Sequence, residues 1–238
     1  MSYLLTILSL IAVFMILSQS YNLILGYAGM IHVGHVGFMA IGAYTAALLN
    51  LEGYSFGIGL LVGVSCAALA GLLLGIPTIR FREDYLVAAT LGMGEIIRLI
   101  FLNERGITGG STGITKITRP EIAGFAFQSP LALFLLVAGI CFIVQIFVWR
   151  LTRSPYGKVL ESIREDEIAA SALGKNIHMR KLQILVIGAL LAGLSGALFA
   201  HTLQFIEPEA FNIQRMLLVF LIVVFGGSGT FWGPIVGT

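Results

Sequence analysis

The sequence predicts an all-α, polytopic membrane helical bundle of about seven spans with a short helix in a cytoplasmic loop. Of the 238 residues, 58% are hydrophobic and 11% are charged, whereas soluble domains average about 45–50% apolar and about 25% charged residues. The mean hydropathy is +0.96, and a transmembrane helix takes roughly 20 apolar residues. This composition excludes a soluble enzyme, a nucleic-acid-binding domain and a disordered chain.

Seven apolar stretches are the candidate spans. The second stretch begins within a glycine-rich segment at residues 26–37, which predicts either a broken helix entry or a short loop between ordinary helices. Broken backbone at membrane depth is tolerated where protein or a water-filled cavity covers it. The predicted spans are residues 3–25, 33–50, 57–77, 85–102, 131–149, 182–203 and 213–226.

Positive charge gives the orientation of these spans. Residues 150–181 carry seven of the 14 Lys and Arg residues, and basic loops face the cytoplasm. Counting back along the chain, the loop at residues 103–128 lies outside, Arg80 and Arg82 lie inside, and the N-terminus lies outside. We therefore expect residues 1–238 to form a single transmembrane domain with one large cytoplasmic loop.

Small residues predict close helix packing. Gly71 and Gly75 lie four residues apart in the third apolar stretch, a spacing that lets two membrane helices approach closely. The contact could lie within the bundle or at a dimer seam, and packing within the bundle is favoured.

A short helix is predicted at residues 163–174 of the cytoplasmic loop. Ser162 and Glu165 fit a capping box, and acidic residues in the first turn would suit the helix dipole. Gly174 fits a C-terminal cap. Such a helix could lie on the lipid surface, or it could dock into a groove of a partner protein.

This helix also resembles the EAA loop of ABC-importer permeases. The segment from Glu167 to Gly174, with Ile184 ten residues on, is similar to the pattern Glu-Ala-Ala, three residues, Gly, nine residues, Ile. Two features depart from the pattern. Glu167 lies one position before the Glu of the pattern, and Ile168 occupies the position of that Glu. The usual Leu-Pro ending is missing.

Further motifs resemble branched-chain amino-acid permeases of the hydrophobic amino-acid uptake family, and most closely their LivM-type subunit. The resemblance covers the chain from about residue 20 to its end. Importers of urea and short amides share these motifs, so the substrate stays open. Family members usually continue with at least one more span, which we expect this chain to lack. The motifs lie at residues 22–29, 34–35, 42–44, 85, 90–92, 94–98, 108–114, 157, 163–167 and 226–230.

The resemblance implies an import complex in the inner membrane of a bacterial or archaeal cell. Two homologous permease subunits would span the lipid bilayer, two cytoplasmic ABC ATPases would bind beneath them, and a substrate-binding protein would deliver substrate outside. ATP would be bound by the ATPases and no cofactor by this chain, which has no G-x-x-x-x-G-K-[ST] motif. By this resemblance the helix at residues 163–174 would be the coupling helix, which would contact an ATPase through Glu165, Asp166, Glu167, Ala169, Ala170 and Gly174.

Four polar residues are candidates for the translocation path: Asn22, His35, Glu95 and Arg98. Glu95 lies about 15 Å into its predicted span, where an ionisable group is costly and is a functional candidate. Arg98 lies one helical turn away and could pair with it. The pair could meet a zwitterionic amino acid, or it could be a structural pair that holds two helices together. His35 could also be an interfacial residue, and no metal site is predicted because no ligand spacing surrounds the histidines.

Three other functions stay open beside the branched-chain amino-acid importer. A urea or short-amide permease would carry the same motifs. A secondary transporter would show inverted repeats, and the sequence shows no convincing repeat. An intramembrane serine protease would use Ser228 with a facing base, but the nearest histidine in the sequence, His201, is predicted at the opposite membrane face.

Overall fold

The computed structural model describes residues 2–78, 83–122 and 125–238. Arg80 and Arg82, which the charge pattern places inside, lie outside the described residues. The described chain is built mainly of helices, as the sequence predicts. They are α1 (Ser2–Asn22), α2 (His35–Leu51), α3 (Phe56–Thr78), α4 (Glu83–Asn103), α5 (Arg105–Thr108), α6 (Pro130–Arg153), α7 (Pro155–Glu165), α8 (Glu167–Ala172), α9 (Ile177–Leu203), α10 (Ile213–Gly227) and α11 (Gly233–Gly237).

Six helical segments of the described chain have the length and apolar composition needed to cross a membrane. The second predicted span corresponds to α2, which has 17 residues and a length of about 25 Å. α2 is buried along most of its length, because α3, α4 and α9 pack around it. The predicted all-α membrane bundle is confirmed, with a short enclosed helix at the second span. The six segments are Tyr3–Tyr27, Phe56–Thr78, Tyr85–Asn103, Pro130–Arg153, Ile177–Leu203 and Pro208–Gly227.

Small residues at every fourth position of α3 form its contact with α2 and α9. A Cβ added at Gly71 would lie 2.5 Å from the Cβ of Ala189, and one added at Gly75 would lie 2.7 Å from Leu182 on α9. The predicted small-residue face therefore packs within the bundle. Its buried members are Gly59, Gly63, Ala67, Gly71 and Gly75.

The backbones of α2 and α9 also approach each other closely. A Cβ added at Gly42 would overlap the backbone of Gly193, and one added at Gly196 would lie 2.8 Å from the carbonyl carbon of Met39. No side chain fits at either position. Such contacts rest on dispersion between closely packed helices, which is the main attraction between spans in lipid.

The glycine-rich segment at residues 26–37 interrupts the helices, as the broken-entry prediction states. Leu23–Tyr27 continues α1 as a π turn, and the backbone then turns through Gly29, whose φ is +70°. α2 begins at His35. Most of this non-helical backbone is buried, which satisfies the requirement that protein cover it.

Short strands and loop contacts gather at one end of the bundle, which we call the β end. Asn50 Oδ1 accepts a hydrogen bond from the backbone amide of Thr118 (2.8 Å), and His201 Nδ1 lies 3.0 Å from the Thr118 carbonyl oxygen. The loop between α5 and α6 thereby ties the ends of α2 and α9 together. We call the opposite end, which carries α7 and α8, the α7 end. The antiparallel pairs are β1 (Ile114–Thr115) with β4 (Phe205–Ile206), and β2 (Glu121–Ile122) with β3 (Phe125–Ala126).

Candidate functional site

The predicted coupling helix at residues 163–174 is divided into two helices. α7 ends and α8 begins on either side of Asp166, whose backbone is extended (φ −155°, ψ 104°). The prediction of a capping box at Ser162 is wrong, because Ser162 lies inside α7 and its Oγ donates to the carbonyl of Val159 (2.8 Å). The N-terminal cap is instead Asp166, which caps α8 and lies four residues after Ser162.

Both ends of α8 are capped by the residues that flank it. Asp166 Oδ1 accepts hydrogen bonds from the backbone amides of Ile168 (2.8 Å) and Ala169 (3.0 Å). Gly174 has a φ of +77°, and its amide donates to the carbonyl of Ser171 (2.9 Å). The prediction of Gly174 as the C-terminal cap is confirmed, because a left-handed residue ends the helix there.

α8 presents apolar side chains on its exposed surface. Ile168 and Leu173 are 83% and 77% exposed, whereas Ala170 is buried against the rest of the chain. An ion pair between Glu167 and Lys181 ties α8 to the start of α9. The other predicted docking residues are exposed, namely Glu165, Asp166, Glu167, Ala169 and Gly174.

Arg164 connects α7 to the spans, a role that the sequence does not indicate. Its guanidinium donates a hydrogen bond to the carbonyl of Gly26 in the π turn of α1. The same side chain lies against Gly29 and Gly229, both of which have positive φ. A charged side chain is therefore held between the end of α1 and the turn after α10.

Asn22 holds the same turn from inside the bundle. It is fully buried, its Oδ1 accepts from the amide of Gly229 (2.9 Å), and its Nδ2 donates to the carbonyl of Thr230 (2.9 Å). These two bonds satisfy a buried side-chain amide that would otherwise be costly. They give Asn22 a structural contact at the α7 end.

His35 lies in the contact between α1 and α2. Its Nε2 is 2.8 Å from Ser20 Oγ, its ring centroid is 5.4 Å from that of Tyr21, and its side chain is fully buried. His35 is therefore a packed residue beside the helix break and is not at a lipid interface.

Glu95 and Arg98 form the ion pair predicted from their spacing, and a third residue extends it. Arg98 Nε lies 3.0 Å from each carboxylate oxygen of Glu95, and Arg98 Nη1 donates to Glu209 (2.6 Å). The exposed fractions of the side chains are 15% for Arg98, 41% for Glu95 and 58% for Glu209. The cluster links α4 to the 3₁₀ turn Pro208–Phe211 that precedes α10.

A cavity of about 210 Å³ lies between α2, α4 and the start of α10. A Cβ added at Gly94 would lie 2.9 Å from the Cα of Gly34, so glycines allow α4 to approach α2 at the edge of this cavity. Of the four predicted path residues, Glu95 lines the cavity and the other three lie outside its lining. The cavity walls include Gly34, Gly37, Gly94, Glu95, Asn212 and Met216.

The geometry of the described chain does not support a hydrolytic centre at Ser228. His201 is bound to Thr118 at the β end, whereas Ser228 follows α10 at the α7 end. Within the described residues, no three His, Cys, Asp or Glu side chains are grouped so that they could hold a metal ion.

Comparison with known proteins identifies the family. Residues 3–238 match the model of the family described as branched-chain amino acid transport system / permease component. The chain belongs to this permease family. Its membership and its span-length helices make it a multi-pass protein of the cell membrane.

The relatives of this permease are transport proteins from bacteria and archaea. The LivM permease of the high-affinity branched-chain amino acid transport system of Escherichia coli K12 is 40% identical over 94% of this chain and 58% of that protein. The probable LivM protein of Methanocaldococcus jannaschii is 28% identical over 93% of this chain and 74% of that protein. The autoinducer 2 import permease LsrC of Enterobacter sp. 638 is 27% identical over 85% of this chain and 58% of that protein. The chain thus spans little more than half the length of the Escherichia coli relative, and no solved structure matches it significantly.

Proposed function

We propose that this permease is a membrane-spanning subunit of an ATP-driven importer for branched-chain amino acids such as leucine, isoleucine and valine. The observation that carries this proposal is the 40% identity to the Escherichia coli branched-chain amino acid permease over 94% of the chain. A charged cluster beside an apolar cavity supports the substrate class, and an exposed capped helix supports the link to an ATPase. The chain acts as a transport subunit rather than as an enzyme.

The substrate would be recognised by charge at one end and by apolar walls at the other. Glu95, which lines the cavity, can pair with an ammonium group, and a substrate carboxylate could exchange with Glu95 or Glu209 as the partner of the adjacent Arg98. The cavity beside them is lined mainly by apolar side chains, which suit an aliphatic side chain. Urea carries no such charges, so this arrangement favours the amino-acid substrate over the urea or short-amide alternative. The apolar wall includes Val33, Val36, Leu91, Ile213 and Met216.

α8 would dock into a cytoplasmic ATPase. The α7 end carries the basic loop, so the positive-inside rule places it in the cytoplasm. Ile168 and Leu173 are mostly exposed there, and apolar anchors on a short helix suit a hydrophobic groove of a partner protein. The surrounding acidic residues and Gly174 would complete the contact.

Movement of α8 would reach the spans by two connections. The ion pair of Glu167 with Lys181 joins α8 to α9, and Arg164 joins α7 to the π turn of α1 at Gly26. ATP-driven closure of the ATPases would thereby shift α1 and α9 together. The interrupted segment at residues 26–37 is the place where such a shift is most easily absorbed, because its backbone is not helical.

The complete importer would contain two cytoplasmic ABC ATPases, a homologous second permease subunit and an extracytoplasmic substrate-binding protein. ATP would be bound and hydrolysed by the ATPases, since this chain carries no P-loop motif. The complex would reside in the inner membrane of a bacterial or archaeal cell.

Affinity purification of the tagged permease from gently solubilised native membranes is the first test. We expect two ATPases and a related permease to co-purify, as identified by mass spectrometry. The purified complex, reconstituted in liposomes with its binding protein, should take up leucine but not urea when ATP is supplied to the ATPase side. Recovery of the permease alone, under conditions that preserve other ABC complexes, would overturn the proposal.

A further inference from the structure

A second cavity of the described chain lies at the α7 end and has no part in the proposed transport path. Its volume is about 600 Å³, and it is bounded by α3, α6, α7 and α9. Apolar side chains from three spans form its walls, including Leu72, Leu151, Leu182, Val186 and Ile187. Three of the four helices that line the cavity have the length and composition of spans, so we expect this groove to face the surrounding lipid.

Arg180 lines this groove at its polar end. Arg180 Nη1 donates to Gln183 Oε1 (3.1 Å), and its guanidinium lies over the ring of Tyr156, 5.4 Å from the centroid. Within the described residues, Arg180 has no carboxylate partner at ion-pair distance. A guanidinium carries five N–H donors, so the charge and most of the donors of Arg180 are free to bind an anion.

The neighbouring groups are hydrogen-bond donors rather than bases. Burial raises the pKa of the Tyr156 phenol to about 12, although the nearby Arg180 guanidinium acts in the opposite direction. The phenol therefore stays neutral at physiological pH, and its hydroxyl donates to the carbonyl oxygen of Arg180 (3.5 Å). Gln183 uses its Oε1 to accept from Arg180, which leaves its Nε2 as a further donor.

The end of α6 indicates the level of this groove in the membrane. The guanidinium of Arg153 lies over the ring of Trp149, 4.7 Å from the centroid. Tryptophan and basic residues are typical of the membrane–water interface. Leu151 lies between these two residues and lines the groove, so the polar end of the groove is at the level of the lipid headgroups. Arg150 and Arg153 in the last turn of α6 add positive charge there.

We propose that this groove binds an anionic glycerophospholipid of the cytoplasmic leaflet. Arg180 and Gln183 bind the phosphate of the headgroup, and an acyl chain lies along Leu72, Leu182 and Val186. Basic pockets between spans on the cytoplasmic side are known to hold anionic headgroups, and a guanidinium can bind a phosphate through two parallel hydrogen bonds. This inference concerns the lipid contacts of the chain and does not depend on the transported substrate.

Native mass spectrometry of the purified full-length permease, stripped of lipid in detergent, tests the headgroup. Phosphatidylglycerol and phosphatidylcholine with identical acyl chains are titrated separately, and the first binding event is compared. We expect phosphatidylglycerol to bind about fivefold more tightly, which is the factor that one cation supplies near an anionic surface. Arg180→Gln should remove this preference, whereas Arg105→Gln at the β end should retain it. Equal binding of the two lipids to the unmodified protein, or an unchanged preference in Arg180→Gln, would overturn the proposal.

A matched pair of variants on α3 tests the acyl chain. Leu72 lines the groove, whereas its neighbour Leu73 is 68% exposed and is absent from the groove lining. Leu72→Trp should fill the groove and weaken the first binding event of both lipids at least threefold, with the protein's thermal midpoint measured as a check on folding. Leu73→Trp should leave both affinities unchanged. Equal affinities in the two variants would show that no acyl chain occupies the groove.

Discussion

The guanidinium of Arg164 on α7 donates a hydrogen bond to the carbonyl of Gly26, in the π turn that ends α1. These residues are separated by 138 positions in the chain. The Arg164 side chain also lies against Gly229, whose amide is bound by Asn22. One side chain of α7 thus contacts the π turn that ends α1 and the turn that follows α10, and π turns are frequent at functional sites.

Arg164→Gln should uncouple ATP hydrolysis from transport. A hydrogen bond from a charged donor contributes about 1.5–3 kcal/mol, so its loss should lower leucine uptake by the reconstituted complex at least tenfold. ATPase activity and complex assembly should be retained, because the α8 surface is unchanged. Lys158→Gln removes the charge of an exposed side chain on the same helix and is the control; it should transport normally. Full uptake by Arg164→Gln would contradict the connection between α7 and α1.

Gly174→Val should also uncouple the complex, for a different reason. Gly174 has a φ of +77°, and a β-branched residue in this conformation is strained by about 1–3 kcal/mol. The end of α8 should therefore unwind and lose its contact with the ATPase. Gly174→Asn is the matched control, since asparagine tolerates a left-handed backbone. The measurement is the ratio of leucine transported to ATP hydrolysed. A normal ratio in the valine variant would argue against docking at this cap.

The spans and the ion pair within α4 could be predicted because both depend on nearby residues. Apolar stretches of sufficient length give the spans directly, and Glu95 and Arg98 lie three positions apart on one helical face. The cap at Gly174 could be predicted in the same way, because a glycine directly after a helical segment is typical of a helix end. The spans, the ion pair and the cap do not depend on contacts with distant segments of the chain.

The remaining parts of the candidate site depend on contacts between distant segments. Arg98 reaches Glu209 across 111 positions of the chain, and the sequence contains no signal for that pairing. The break at Asp166 was missed because Ser162 and Asp166 both suit a helix cap, and only the packing of α7 decides between them. An alignment of relatives could reveal such pairs by covariation, whereas one sequence cannot.

Helix packing predicts opposite effects for alanine at two glycines. At Gly196 a Cβ would contact the backbone of Met39, and forcing α2 away from α9 should cost about 1–3 kcal/mol. At Gly139 on α6 a Cβ meets no atom within 4 Å, so alanine should stabilise the helix by about 0.5–1 kcal/mol. Thermal unfolding in detergent should therefore show a lower midpoint for Gly196→Ala and an equal or higher one for Gly139→Ala. Equal midpoints would mean that α2 and α9 are not so closely packed.

Glu95→Gln separates a role in substrate recognition from a structural role. The substitution keeps the shape of the side chain at the cavity but removes the charge that would meet an ammonium group. We expect leucine uptake to fall at least tenfold, because a charge-assisted hydrogen bond contributes about 1.5–3 kcal/mol. Binding-protein docking and the thermal midpoint should change little, since Arg98 keeps Glu209 as a partner. Glu104→Gln, just beyond the end of α4, is the control and should transport normally. Unchanged uptake together with a lower thermal midpoint would assign the pair to the structure of the bundle alone.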